Sequence, residues 1–180
     1  MVYVLLGTGF EEVEAIAPVD LMRRAGIEVL TVGVSGKTVY GGHNIGVEAD
    51  ITLDEMDLTK LDMIVLPGGL GSVAAARASK EALAALEFAW KNGKFVAAIC
   101  AAPTVLKDLC ITDGKSVTYY PGFEEEMAAA NLSQNAAYVR DDRLITGTSA
   151  GCAIPFALAL IEALKGKEAA EAVARQIVIR

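Results

Sequence analysis

Cys100 ends an apolar run, Phe95-Val-Ala-Ala-Ile-Cys-Ala-Ala-Pro103, that passes from strand composition to a helix start within three residues. Ala101 and Ala102 leave room for a tight turn, and Pro103 suits the first helical position, where its missing N–H would be unpaired anyway. A cysteine at such an elbow is set up as a nucleophile. Unpaired backbone N–H groups and the positive end of the helix dipole favour thiolate, predicting a pKa lowered from about 8.5 toward roughly 3.5–7.5. Inert core filling is the competing reading, because free cysteine is among the most buried residue types.

Two more strand ends carry useful groups. The turn Leu66-Pro-Gly-Gly69 offers backbone N–H groups that, with the N–H of Ala101, would form an oxyanion hole; a plain turn is the alternative for paired glycines. Glu11, Glu12 and Glu14 open the first helix, with positions 11 and 14 on one face. A solvated acidic first turn, favoured by the helix dipole, accounts for Glu11 and Glu12. Glu14 differs, because Ala15-Ile-Ala-Pro18 carries it into the apolar part of the helix. A partly buried carboxyl there has a raised pKa; protonated, it donates a hydrogen bond to a thiolate, and ionised, it acts as a base.

The elements that must position these groups alternate between strand and helix, the pattern of a mostly parallel sheet with helices on both faces. Strands are expected at Val2 to Leu6, Ile27 to Val34, Met63 to Leu66 and through the run ending at Cys100. Shorter ones are expected at Ser116 to Tyr119, Ala137 to Arg140 and Leu144 to Gly147. Helices are expected over Glu11 to Ala25, with Thr8 and Glu11 as a capping box and Pro18 giving a kink or a delayed start, and over Ser79 to Lys91 and Pro103 to Leu109. Further helices are expected over Gly151 to Leu164 and Lys167 to Gln176, with a polar helical piece around Phe123 to Ala130. Lys37 to Asp50 reads as two short strands turning at Gly41-Gly42-His43-Asn44.

With 180 residues, 53% of them apolar and a mean hydropathy of +0.41, the chain fits a single domain over residues 1–180. Its longest apolar runs fall short of the ~18–20 residues of a membrane span, and Met1 to Leu6 lacks the basic region of a leader. A net charge of −7 with no basic run longer than Arg23-Arg24 argues against nucleic acid and anionic membranes as partners. Cys100, Cys110 and Cys152 are an odd set without metal-ligand spacing, so free thiols in a reducing cytoplasm are expected. A single histidine, His43, argues against a His-based metal site, and no cofactor is called for. His43 reads as a solvated turn tip, Cys110 as core packing and Cys152 as structural.

Taken in order, Gly9-Phe-Glu-Glu-Val-Glu14, Pro18-Val-Asp-Leu-Met-Arg-Arg-Ala-Gly26, Val65-Leu-Pro-Gly-Gly69, Ala97-Ala-Ile-Cys-Ala-Ala-Pro103 and Phe156-Ala-Leu-Ala-Leu-Ile-Glu-Ala-Leu164 make a chain that resembles the ThiJ/PfpI family, and within it the DJ-one branch. The resemblance implies a flavodoxin-like three-layer α/β sandwich and a homodimer. It puts the family's reactive elbow cysteine on Cys100, its glutamate partner on Glu14 and the glycine facing the thiol on Gly69. Activities attributed to the branch are a glutathione-independent glyoxalase (glyoxalase III), deglycase repair of glycated proteins or nucleotides, redox sensing and chaperoning.

Where many members of the branch have a histidine near the elbow, this chain has Tyr120. A phenol ionises near 10 and is a poor base at neutral pH, so Glu14 is left to carry proton transfers, with Tyr120 and Gly68 in support. The protease-like branch places a histidine directly after the cysteine, and Ala101 stands there instead. A glutaminase needs a Cys-His-Glu triad, and no histidine follows the elbow. His43 falls where the branch often has an arginine near the subunit interface. The expectation is an enzyme acting on small reactive carbonyls or glycated substrates, linked to oxidative stress defence. The alternative is a non-catalytic redox sensor or chaperone in which Cys100 becomes a sulfinate.

Overall fold

Strand β1 (Val2–Leu6) is buried at all five positions, as a strand covered on both faces must be. In the computed structural model, which describes every residue except Gln134 and Arg180, β1 lies inside a seven-stranded sheet. On one side it pairs with β2 (Val29–Gly33), followed by β5 (Ile51–Thr52). On the other it pairs with β6 (Met63–Leu66), followed by β7 (Phe95–Ile99), β11 (Leu144–Gly147) and β10 (Tyr138–Asp141). Every pairing is parallel except that of the edge strand β10 with β11. The expected flavodoxin-like sandwich is the fold observed.

Period-two alternation divides the strand residues between two layers. Tyr3, Leu5, Ile64, Leu66, Val96 and Ala98 pack with α2 (Leu70–Ala78), α3 (Lys80–Lys91) and α4 (Pro103–Asp108). Val2, Val4, Leu6, Met63, Val65, Ala97 and Ile99 pack with α1 (Glu12–Arg24), α5 (Ala153–Lys165) and α6 (Lys167–Gln176). The chain leaving β1 enters α1 on one face, whereas the chain leaving the adjacent β6 enters α2 on the other. That divergence opens a crevice beyond the carboxyl ends of the strands, where sites form in open α/β sheets.

Helix α1 starts at Glu12 and runs through Pro18 with no delayed start. Pro18 removes one backbone hydrogen bond, at a cost of about 3 kcal/mol. Val19, Leu21 and Met22 are buried on the same helix, and at about 1.5–3 kcal/mol each they offset that cost. The expected Thr8 capping box does not form: Glu11 is the capping residue and its side chain makes no capping bond. The two short strands after Lys37 are β3 (Thr38–Tyr40) and β4 (Gly46–Glu48), an antiparallel hairpin.

Elsewhere the structure departs from the sequence pattern. Helix α2 has no counterpart in it, because Leu70-Gly-Ser-Val-Ala-Ala-Ala-Arg-Ala is built from small residues without a strong apolar stripe. The expected polar helix at Phe123 to Ala130 is a series of turns, held by Met127 N–H donating to Phe123 O at 2.9 Å. Three consecutive glutamates, Glu124 to Glu126, repel one another there, and only Met127 is buried. The strand expected from Ser116 to Tyr119 shortens to β8 (Ser116–Val117), which pairs with the unanticipated β9 (Asn131–Leu132).

Candidate functional site

Immediately after β7 the chain reverses at Cys100, which adopts φ +66°. That left-handed conformation is uncommon for a residue with a Cβ and persists only where surrounding bonds fix it. Here Cys100 N–H donates to Gly147 O at 2.9 Å, Tyr120 N–H donates to Cys100 O at 2.9 Å, and Ala102 N–H donates to Ile99 O at 3.1 Å. Strand β11 and the segment holding Tyr120 therefore pin the elbow from two sides. Pro103 opens α4 as expected.

Glu14 reaches the elbow from α1. Its side chain is wholly buried, and Oε2 accepts a hydrogen bond from Gly68 N–H at 2.9 Å. Oε1 is sealed from solvent without a donor, which disfavours a full negative charge. Burial raises the Glu14 pKa to about 7, against the lowering effects of the neighbouring Cys100 thiol and the Gly68 N–H, with a smaller upward push from Glu11.

Gly68 and Gly69 are glycines for reasons of space. A Cβ at position 68 would lie 2.4 Å from Glu14 Oε2 and 2.7 Å from Cys100 Cβ. Gly69 has φ +89°, and a Cβ there would lie 2.3 Å from Gly9 O and 2.7 Å from Glu11 N. Side chains at these two positions would thus separate the carboxyl from the thiol or break the contact between the β1 and β6 loops, where Glu11 N–H donates to Gly68 O at 3.0 Å. The backbone N–H groups of Gly69 and Ala101 lie by the Cys100 sulfur and favour its ionised form.

The expectation of a depressed thiol pKa is overturned. Burial first, then the charge and hydrogen bond of Glu14, push Cys100 up to about 12, outweighing the Ala101 and Gly69 N–H groups. Helix α4 has only six residues and a short macrodipole, and a carboxylate beside the sulfur opposes it directly. Thiol and carboxyl titrate as a pair that holds one proton between pH about 7 and about 12.

A cavity of about 460 Å³ opens over the pair, lined by Glu11, Gly69, Leu70, Cys100, Ala101 and Tyr120, with the turn Pro121 to Phe123 as its outer wall. Tyr120 is half-exposed in that wall. Cys152 stands in the 3-10 turn before α5 and is outside this lining.

Two readings of single residues change, and a third, His43 as a solvated turn tip, holds. Cys110 is not core packing: it is exposed, with φ +56°, and ends α4 as Ile111 N–H returns to Leu106 O at 3.0 Å. Glu12 is not solvated; it is only 7% exposed and accepts from His43 N–H at 2.7 Å through Oε1 and from the His43 ring, Nδ1, at 2.8 Å through Oε2. Burial would raise Glu12, but these bonds leave its pKa below the ordinary value. His43 has a 70% exposed side chain, yet the Glu12 hydrogen bond raises its pKa and ties the β3–β4 hairpin to α1. Among the described residues, Glu11, Glu12 and His43 bring one donor atom each within 4.8 Å of the others, the group best arranged to hold a metal ion.

No helix among the described residues is long and apolar enough to cross a membrane. The chain is 37% identical to Protein dj-1beta of Drosophila melanogaster over 179 residues, 98% of this chain and 95% of that one. The crystal structure of the fly DJ-1beta superposes with a TM-score of 0.95, covering 99% of this chain and 97% of that one at 36% identity. A structure described as Toxoplasma gondii DJ-1, oxidized, gives a TM-score of 0.90 at 32% identity, covering 98% of this chain and 97% of that one. The protein named Deglycase PH1704 from Pyrococcus horikoshii is 31% identical over 128 residues, 71% of this chain and 76% of that one. With residues 1–163 matching the DJ-1/PfpI family on the fold just described, the chain belongs to that family.

Proposed function

We propose that this protein converts small reactive carbonyl compounds, free or as adducts on amines, by covalent catalysis at Cys100. One observation carries the reading: a buried carboxyl with a pKa of about 7, Glu14, beside a thiol that faces an open cavity. A group that titrates near neutrality both accepts and returns a proton efficiently. The name of the Pyrococcus horikoshii relative, a deglycase, supports the same chemistry.

For a 2-oxoaldehyde the sequence is balanced as follows. The thiol proton passes to Glu14 as sulfur bonds to the aldehyde carbon, and the resulting oxyanion, held by the Gly69 and Ala101 N–H groups, takes a proton to give a hemithioacetal. Glu14, again ionised, removes the proton from that carbon and returns it to the neighbouring one, leaving a thioester. Water then displaces the sulfur, freeing a 2-hydroxy acid and the thiol. With methylglyoxal the expected product is lactate, observed by proton NMR. Loss of methylglyoxal without lactate would overturn the reading.

A second reading has its own support, the oxidised Toxoplasma gondii relative. In it, Cys100 thiolate takes one oxygen from each of two peroxide molecules, releasing water, and becomes a sulfinate that protonated Glu14 hydrogen-bonds. Intact-mass and peptide mapping after graded peroxide should show two oxygens on Cys100 before Cys110 or Cys152 reacts; uniform oxidation counts against it.

The homodimer is proposed on the exposed apolar residues Val13 and Ile16 of α1 and Tyr40 and Ile45 of the β3–β4 hairpin. The Glu12–His43 bonds tie those two elements together, and exposed apolar clusters mark association surfaces. Light scattering should give twice the 18.9 kDa chain mass, and a monomer would refute it. Free thiols at all three cysteines suit a reducing compartment such as the cytoplasm.

A further inference from the structure

The outer wall of the Cys100 cavity, Pro121 to Phe123, belongs to a strap that is fixed at both ends and weakly held between them. At one end Tyr120 N–H donates to Cys100 O at 2.9 Å; at the other, Gly114 N–H donates to Ala129 O at 2.9 Å and β9 pairs with β8. Between them Gly122 has φ +105°, with no atom within 4 Å of where a Cβ would stand, so the backbone turns there in open space. Glu124 folds back to accept from Gly122 N–H at 3.0 Å, and its charge, with those of Glu125 and Glu126, pushes the strap apart. Phe123 and Met127 pack against the core beneath. Among the described residues, one ion pair joins this strap to the body of the protein: Arg77 Nη2 donates to Glu126 Oε1. The same guanidinium donates through Nε to Asp108 Oδ2 at 2.8 Å.

We propose that Arg77 is a positioning residue for the site, the latch that holds this strap over Cys100. It stands in the last turn of α2, whose first residue, Leu70, lines the cavity, and Asp108 ends α4, the helix that starts just beyond the elbow. One planar fork thus fixes the wall relative to both helices beside the sulfur, a task for which a lysine, a point charge on a flexible stem, is poorly built. Arg77 is outside the cavity lining and acts through the strap. None of the three charged residues lies on α1 or the β3–β4 hairpin, where the second copy is proposed, and α2 and α4 cover the face of the sheet opposite α1. Their side chains are between 34% and 39% exposed, so salt reaches the bridge and weakens it. With the bridge broken, only the apolar contacts of Phe123 and Met127 hold the wall, and it swings about Gly122 more often. This rests on the reading that the cavity over Cys100 is the site and is independent of what enters it.

Iodoacetamide labelling of the intact protein reads the position of the wall without requiring turnover. Cys152, which stands before α5 and outside the cavity, is the internal reference, and peptide mass spectrometry gives the ratio of labelling at Cys100 to that at Cys152. At low ionic strength Arg77→Met and Glu126→Gln should each raise that ratio about fivefold, the upper scale for an exposed ion pair, and the double variant should raise it no further. Salt at about 1 M, where the screening length is about 3 Å, should bring the wild type toward the variants and leave the variants where they are. General loosening of the fold would expose both cysteines together and leave the ratio unchanged. A flat ratio in Glu126→Gln, or single effects that multiply in the double variant, overturns the latch. If lactate forms from methylglyoxal but the ratio is flat, only the latch fails; if Cys100 takes no reagent in any of these proteins, the covalent reading fails with it.

Discussion

Cys100→Ser is expected to lower lactate formation from methylglyoxal by at least about a thousandfold, the scale seen when a covalent nucleophile is removed. The substitution leaves the elbow geometry in place, because the bonds from Cys100 N–H to Gly147 O and from Tyr120 N–H to Cys100 O are made by backbone. What changes is acidity. Glu14, with a pKa of about 7, shares a proton with a thiol but cannot take one from an alcohol to any useful extent. The readout has to be lactate rather than disappearance of methylglyoxal, since exposed Cys110 and surface amines consume the aldehyde unaided. A serine variant making lactate at the wild-type rate would mean that the chemistry lies elsewhere.

Glu14→Gln should reduce the same rate by about 10²–10⁴, the usual contribution of a positioned general acid or base. Its effect on pH dependence is more diagnostic than its size. In the wild type the rate should rise with pH through about 7, as the thiol–carboxyl pair loses its first proton, and that limb should vanish in the variant. Stability gives an independent reading. The folded-state pKa of Glu14 is raised from 4.5 to about 7, so between those values the folded chain binds more protons than the unfolded one. This contribution is fully present below pH 4.5 and is lost as pH rises to about 7, a change of about 3 kcal/mol at order of magnitude. Urea midpoints should fall over that interval in the wild type and fall less in Glu14→Gln. An identical slope in both proteins would remove the buried carboxyl from the account.

Much of the fold can be read from local pattern. Strands β1, β6 and β7 are apolar runs without alternation, as two-sided burial requires. The helix stops at Gly26 and Gly93 follow from backbone that only glycine adopts easily, with φ +67° and +72°. Helix α2 escapes the same treatment. Its residues are small because the β1 loop packs on it: a Cβ at Gly7 would lie 2.9 Å from Ala75 Cβ, and one at Gly71 would lie 2.6 Å from Thr8 O. Close approach of distant segments selects small side chains and erases the periodicity that marks a helix. Glu12 escapes local reading for a related reason, since the hairpin that buries it arrives from 31 residues further along the chain, at His43.

The candidate site divides along the same line. The sequence by itself determined the strand-to-helix elbow at Cys100, the glycine pair after β6 and the carboxyl at Glu14, because each depends on neighbours a few residues away. The raised pKa of Glu14 also followed from its place in the apolar part of the helix, but only the tertiary structure decided the charge state of the thiol. Read locally, the elbow promised an acidic thiol under a helix dipole. In the folded chain Glu14 and Cys100 meet in a buried space where burial opposes ionisation of both and the Glu14 charge further opposes that of the thiol, so the thiol rises to about 12 while the carboxyl rises to about 7. Burial and charge–charge coupling act through space in a low-dielectric interior, so acidity follows the neighbours that folding supplies.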